Sequence, residues 1–303
     1  MGRGLGQRTL NVIDVAAEVL QTIQPTTVRS VAYKLFGRGI TTSMKKSEVN
    51  RVGRALKAAR ETGRIRWEWI VDDGREEERI ASWADPEAFA NDVIAQYKRD
   101  RWAMQPRRVE IWSEKSTVYG VLQPILRKYG VTFRSFKGFT SATSIHDVAI
   151  RSLYDDPPVD PLYLGDWDPS GLYMSEVDIP ARLVKYGAGD RLAITRLAIT
   201  EPDTRTGLPW FSVETKKGTA GKKGDPRYRW FKDRYGDRCF ELDALDPVLL
   251  RSRVEDAILS RIDLELWQRS DAAEAAEHES LVAVLSRWPT ISKRESEYDG
   301  GRP

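Results

Sequence analysis

The sequence predicts an α/β protein: a small N-terminal helical domain with a short β-element, followed by a mainly parallel sheet flanked by helices. Three patterns carry that prediction. From Arg107 onward, apolar runs of strand length alternate with amphipathic runs of helix length, the pattern of a parallel sheet with helices on its faces. Before that point, three helical periodicities precede one alternating run. Two of the later strands then end abruptly in carboxylates, at the position where open α/β sheets place their chemistry.

The chain has 303 residues, enough for two domains with cores of their own. Its single cysteine, Cys239, excludes an internal disulfide framework and a cysteine-based zinc site; it reads as a buried small residue. With only His146 and His278, a histidine-rich metal site is excluded too. No run is long enough to cross a bilayer and the start carries no signal-peptide core, so the expectation is a cytoplasmic protein with no membrane partner. The net charge of +3 is unevenly spread. Residues 1–64 hold twelve Lys or Arg against four Asp or Glu, so they carry +8 and the remainder −5. Such an excess is either a solvated face or a surface that meets a polyanion.

Residues 1–9 are rich in Gly and Arg and are expected to fray; no strand precedes Gly2, Gly4 and Gly6, so they are not a phosphate loop. Residues 11–24 place Val12, Val15, Ala16, Val19, Leu20 and Ile23 on one helical stripe that Pro25 ends. Thr26 or Thr27 can cap a second helix to about Phe36, before Gly37 and Gly39. Ser47 can cap a third, to about Thr62, with Val49, Val52, Leu56 and Ala59 inward and Arg51, Arg54 and Lys57 outward. Arg64–Val71 reads as a strand, and Asp72-Asp73-Gly74 as a turn. Together, residues 1–75 describe a winged helix-turn-helix whose third helix, with Lys46, Arg51, Arg54 and Lys57, would face double-stranded DNA. The plain alternative is a helical bundle with a solvated basic face.

Residues 76–106 read as a linker, helical from Pro86 to about Arg101. Residues 107–268 form the second domain, with strands at 108–113, 131–136, 161–165 and about 192–199, and helices at 116–129, 141–153 and 170–184 between them. A basic insertion spans residues 201–238. Its Lys216, Lys217, Lys222 and Lys223 either close over nucleic acid or are simply solvated. Asp246-Pro247 opens a helix read as far as Trp267, and residues 269–303 give a C-terminal helix and a polar tail, disordered from Ser292.

The chemistry is expected at the two strand ends. Val109-Glu110-Ile111-Trp112-Ser113-Glu114-Lys115 and Leu162-Tyr163-Leu164-Gly165-Asp166-Trp167-Asp168-Pro169-Ser170-Gly171 each run from apolar strand into acid. Glu114, Asp166 and Asp168 together would make a hard oxygen site for Mg²⁺, with Mn²⁺ as a substitute. Held there, a divalent ion stabilises charge on a phosphodiester in transfer. Glu114 could equally act as general acid or base, and Lys115 could pair with phosphate. An isolated Asp-x-Asp is commonly a loop cap; the recurrence of strand, carboxylate and Pro-x-Gly argues for the metal.

This spacing resembles the Toprim domain of topoisomerases and primases. Upstream, Arg29 precedes Tyr33 by one helical turn, so the two face the same way. With the motifs at Glu114-Lys115, Asp166-x-Asp168-Pro169-x-Gly171 and Glu241-Leu242-Asp243-Ala244-Leu245, residues 10–268 resemble the A subunit of topoisomerase VI and the related meiotic strand-break transesterase. The stand-alone Mini-A-like proteins are the nearest branch, and the nuclease subunit of Wadjet-type defence systems is a more distant one. The family has a Tyr-Tyr pair, and here Ala32 replaces the first. The resemblance implies that Tyr33 is the nucleophile, that Arg29 lowers its pKa or grips the phosphate, and that the protein is a homodimer. No ATPase motif is visible, so a separate ATPase or accessory subunit is implied for strand passage. By spacing alone, Tyr33 would be a core aromatic beside Phe36. The competing readings are a hydrolytic Toprim nuclease using metal-activated water and a non-catalytic DNA-binding protein. Trp67, Trp69, Trp102 and Trp112 are expected to pack rather than stack on bases, and His146 to be structural.

Overall fold

The computed structural model describes residues 6–71, 81–136, 142–154, 157–216 and 226–287. These fall into two compact units, one drawn from residues 1–73 and 107–261, the other from 74–106 and 262–303.

The chain opens with α1 (Gln7–Ile23), β1 (Thr26–Thr27), α2 (Val28–Gly37), α3 (Lys46–Glu61) and β2 (Ile70–Val71). The first and third helices bury most of the stripes that the periodicity marks, Val12, Ala16, Val19, Leu20 and Ile23 on one and Val52, Leu56 and Ala59 on the other, with Ile13 and Leu35 enclosed beside them. Each such Leu contributes about 2 kcal/mol through removal of apolar surface from water. Thr27 caps α2, its Oγ1 accepting from the Ser30 amide at 3.0 Å. Ser47 does not cap α3, which starts one residue earlier behind Lys45. The strand expected over Arg64–Val71 shrinks to Ile70–Val71, paired in parallel with β1. Before it, Trp67–Trp69 form a 3-10 turn. That turn leaves Trp67 on the surface under the Arg60 guanidinium, 4.3 Å from its ring centroid, so Trp67 does not pack inside as expected.

Next comes α4 (Pro86–Gln96), capped by Asp85 and five residues shorter than read. It belongs to the second unit, where the segment read as a linker packs with the C-terminal helix. There Trp102 meets Trp267 edge to face at 5.5 Å, and Arg99 and Tyr97 both bond Glu277.

The sheet of the first unit comprises β3 (Arg108–Ser113), β4 (Thr132–Ser135), β5 (Val159–Leu164) and β6 (Thr195–Ala198). Its order is β4-β3-β5-β6 and every pairing is parallel, as expected. Helices α5 (Thr117–Tyr129) and α6 (Ala142–Tyr154) connect the first strands. The helix read over 170–184 is divided into α7 (Pro169–Tyr173), a π-turn at Met174–Asp178 and α8 (Ile179–Lys185). Pro180, which lacks an amide hydrogen, sits at the start of α8. Trp112 and Tyr163 anchor the core under α6 and α8, with Phe136, Val148, Met174 and Leu183.

Beyond the sheet lie β7 (Phe211–Ser212), α9 (Pro226–Tyr235), β8 (Arg238–Cys239) and α10 (Pro247–Leu259). Cys239 is buried. The helix read as far as Trp267 ends at Leu259, because Asp263 caps a new one: its carboxylate accepts from the amides of Glu265 and Leu266. That helix, α11 (Leu264–Leu285), belongs to the second unit. The residues read as a polar tail lie outside the described residues. No described helix is long and apolar enough to cross a membrane.

Inside β3, Glu110 is a buried acid held by a fork of Arg134 nitrogens at 2.5 and 2.7 Å and by the Trp112 indole at 2.8 Å. Removing it takes the bidentate carboxylate from the guanidinium. Glu110→Ala is therefore expected to lower stability by about 3 kcal/mol, read from urea unfolding. A loss under 1 kcal/mol would mean the pair contributes nothing net.

Candidate active site at the end of the parallel sheet

The register of β3 against β5 pairs Ser113 with Leu164, so both strands end at the same height. Glu114 and Gly165 leave them side by side, and Asp166 and Asp168 follow on the turn into α7. Gly171 is required on that turn: a Cβ there would stand 2.5 Å from the Asp166 carbonyl oxygen.

Asp168 caps α7, its Oδ1 accepting from the amides of Ser170 and Gly171 at 2.8 and 2.7 Å. The loop-cap role weighed against the metal role is thus present. Asp166 Oδ1 accepts from the Leu242 amide at 2.8 Å. That contact exists because Trp167 and Phe240 exchange backbone hydrogen bonds at 2.9 Å, which lays residues 240–243 beside the turn.

Lys115 extends between Asp166 and Asp243, its Nζ 2.7 Å from one carboxylate and 2.9 Å from the other. Burial disfavours its charge, but the two carboxylates outweigh burial and hold its pKa well above the ordinary lysine value. Among the described residues, no three Asp, Glu, His or Cys are gathered to hold a metal ion. Glu114, Asp166 and Asp168 do share one neighbour, the buried Tyr163 phenol. Its pKa is raised, first by burial and then by these three charges against an opposing Arg196. The donor chemistry suits a hard divalent cation. The Lys115 ammonium pairs with one of these three donors, Asp166, and on its other side with Asp243.

Arg196 holds the turn from beneath. It donates to the carbonyls of Ile199 at 2.7 Å, Gly165 at 2.9 Å and Gly171 at 3.3 Å, to that of Asp166, and to Ser175 Oγ at 2.7 Å. Burial lowers its pKa.

The N-terminal helices reach this site within the same unit. Helix α2 presents Thr27, Arg29, Ser30, Tyr33 and Lys34 to residues 241–246. Thr27 Oγ1 donates to Asp243 at 2.7 Å, and Lys34 Nζ pairs with Asp246 at 2.5 Å. The Arg29 guanidinium forks onto the Glu241 carboxylate, and Tyr33 Oη donates to the same carboxylate at 3.1 Å. Tyr33 is 7% exposed. Burial and then the Glu241 charge push its pKa well above the ordinary phenol value, while Arg29 pulls the other way and loses. Arg29 does lower the phenol pKa, as expected, but burial first and the Glu241 charge second outweigh it, so the net shift is upward.

Of the DNA-facing candidates, Lys46, Arg54 and Lys57 are exposed on α3, whereas Arg51 is half-buried and bonded to Glu48 at 2.6 Å. Lys216 closes a 3-10 turn at Val213–Lys216. Lys217, Lys222 and Lys223 lie outside the described residues. Sequence reasoning placed Glu241 and Asp243 in a segment that carries the resemblance but gave them no role, and it did not single out Arg196. The first two carried a signal, a pair of acids two apart in an otherwise apolar segment. A single Arg in a short strand carried none.

No family model matches the chain, and neither does any curated protein or solved structure.

Proposed function

We propose that the protein is a DNA strand-cleaving transesterase that uses Tyr33 as nucleophile, in the manner of the topoisomerase VI A subunit. One observation carries the reading: the Tyr33 hydroxyl donates to Glu241 at 3.1 Å, with Arg29 fixing that carboxylate, beside the recess that holds Lys115 and Asp166. A nucleophile, a base within hydrogen-bond reach and a third group orienting the base form the arrangement that activates a weak hydroxyl. In the proposed step, the phenol proton passes to Glu241 and Oη attacks a backbone phosphorus. A phosphotyrosyl bond forms, one phosphodiester ester bond breaks, and the departing oxygen takes a proton to become a hydroxyl. Approach of a phosphate to Arg29 and Lys115 would draw both cations toward it and relieve the carboxylates they now balance.

The remainder of the reading follows the same resemblance. The three N-terminal helices act as a winged-helix domain, with the exposed Lys46, Arg54 and Lys57 meeting double-stranded DNA; half-buried Arg51 has less reach. The active form is a homodimer, joined by an ATPase or accessory subunit where strand passage is needed. Glu114, Asp166 and Asp168 are the donors suited to Mg²⁺, or Mn²⁺ in its place, once Lys115 releases Asp166. A hydrolytic nuclease is the second reading, favoured by the raised phenol pKa of Tyr33.

The test is incubation with supercoiled plasmid and Mg²⁺, a denaturing quench and assay for DNA attached to protein. Protein-linked ends are expected, lost in Tyr33→Phe. That variant should cost only about 1 kcal/mol of stability, since one hydrogen bond is removed. Cut DNA with free ends, undiminished in Tyr33→Phe, would sink the transesterase and leave the hydrolase.

A further inference from the structure

Arg29 and Glu241 also line a second recess, of about 500 Å³, to which Tyr33 contributes. The two recesses differ in chemistry. The first carries the charged side chains of Lys115, Asp166 and Asp243, with Thr27, Val28 and Val71 beside them. The second is walled by Phe36, Met44, Trp210 and Phe211, with Lys45 at its edge. Trp210 is 51% exposed, unusual for so large an apolar ring, and Arg238 stacks on it with its guanidinium 4.9 Å from the ring centroid.

We infer that this aromatic recess is a nucleobase pocket, which takes one unpaired base of the strand whose phosphate approaches Tyr33. Four features select that occupant over another apolar one. The walls offer flat ring surface, as base stacking requires. The lining is not wholly apolar: Glu241 and Tyr33 belong to it, and their carboxylate and hydroxyl can meet the polar edge of a base, as they could not meet a lipid or an aliphatic side chain. The exposed Lys45 at the edge, followed by exposed Lys46, complements a nucleotide's phosphate. The pocket also shares Arg29 and Glu241 with the first recess, so one nucleotide can set its phosphate in one and its base in the other. The inference rests on the reading of the chain as a DNA-acting protein and adds to it what is recognised: an unpaired base, by stacking rather than by sequence. A fully paired duplex cannot fill the pocket without extruding a base, which costs unstacking free energy.

The experiment uses the full chain and 2-aminopurine as the probe base. One duplex carries a single unpaired 2-aminopurine, and a second carries the same base paired. Quenching of the unpaired probe and tighter binding of that duplex are expected. Trp210→Ala should weaken it by about tenfold, the cost of one lost stacking partner, with paired-duplex binding unchanged. Trp210→Phe, which keeps a ring, should retain most of the preference. Equal binding of the two duplexes by the wild type, or a preference untouched in Trp210→Ala, overturns the pocket and leaves the DNA reading standing. If neither duplex binds, the 2-aminopurine mononucleotide decides. Quenching lost in Trp210→Ala then supports the pocket while the DNA reading fails, and no quenching overturns the pocket as well.

Discussion

Arg196→Ala is expected to lower stability by roughly 4 kcal/mol, the largest loss from any single substitution around the site. The guanidinium serves the carbonyls of Gly165, Asp166, Gly171 and Ile199 together with Ser175 Oγ. Alanine removes every one of these donors, and a buried carbonyl left without a partner costs about 1–3 kcal/mol, although Gly165 keeps the Ile199 amide and Gly171 the Met174 amide. The residue is half-buried, so water can re-enter for some of them and the total stays below the simple sum. The turn carrying Asp166 and Asp168 hangs from these bonds, so the damage should not be confined to stability. Hydrogen exchange at the amides of Ser170, Gly171 and Leu242 should rise, since they donate to Asp168 and Asp166. Arg196→Lys keeps the charge without the planar fork and should fall between the two. A melting curve for Arg196→Ala within 1 kcal/mol of wild type, with exchange unchanged, would show that the backbone pairing of Gly165 with Ala198 and Ile199 holds the turn unaided.

The parallel sheet was legible because its central strands, β3 and β5, are buried on both faces and therefore read as apolar runs. Val109-Glu110-Ile111-Trp112 and Leu162-Tyr163-Leu164 are such runs, and the observed strands begin and end within two residues of where they place them. Helix ends that depend on side-chain caps were harder. Asp263 could be read equally as a mid-helix acid or as a new start, and only the amides of Glu265 and Leu266 decide. The site was half legible. Glu114, Asp166 and Asp168 follow strands and show in the sequence. The counter-charges that define their state do not, because they arrive from distant segments: Glu241 reaches Tyr33 across 208 positions and Asp243 reaches Lys115 across 128. The Arg29–Tyr33 spacing placed both on one face of α2, as observed, but the net effect on the phenol depended on burial and then on Glu241, which no local spacing reveals.

Lys115→Met is expected to cost about 3 kcal/mol near neutral pH, because it takes away the one cation between Asp166 and Asp243 while conserving length and apolar volume. Only 23% of the Lys115 side chain is exposed, so solvent screens the pair weakly. The pH dependence follows from the sign of the shift. Lys115 has its folded pKa raised, so its stabilisation is fully present below the unfolded lysine value of about 10.4 and is lost only as pH climbs through the folded value. It is therefore constant across neutral pH in the wild type. In the variant the two carboxylates face each other, which raises the folded pKa of one, so folding regains stability as pH falls and that group takes up a proton. The gap between the proteins should be widest near pH 7 and narrow toward acid. Mg²⁺ provides the discriminating measurement. If Glu114, Asp166 and Asp168 are metal donors that Lys115 keeps in reserve, millimolar Mg²⁺ should raise the melting temperature of Lys115→Met more than that of the wild type, and EDTA should reverse it. Added Asp168→Ala should abolish the rise. Equal, negligible shifts in both proteins would sink the metal part of the reading and leave Lys115 as the permanent counter-ion of this site.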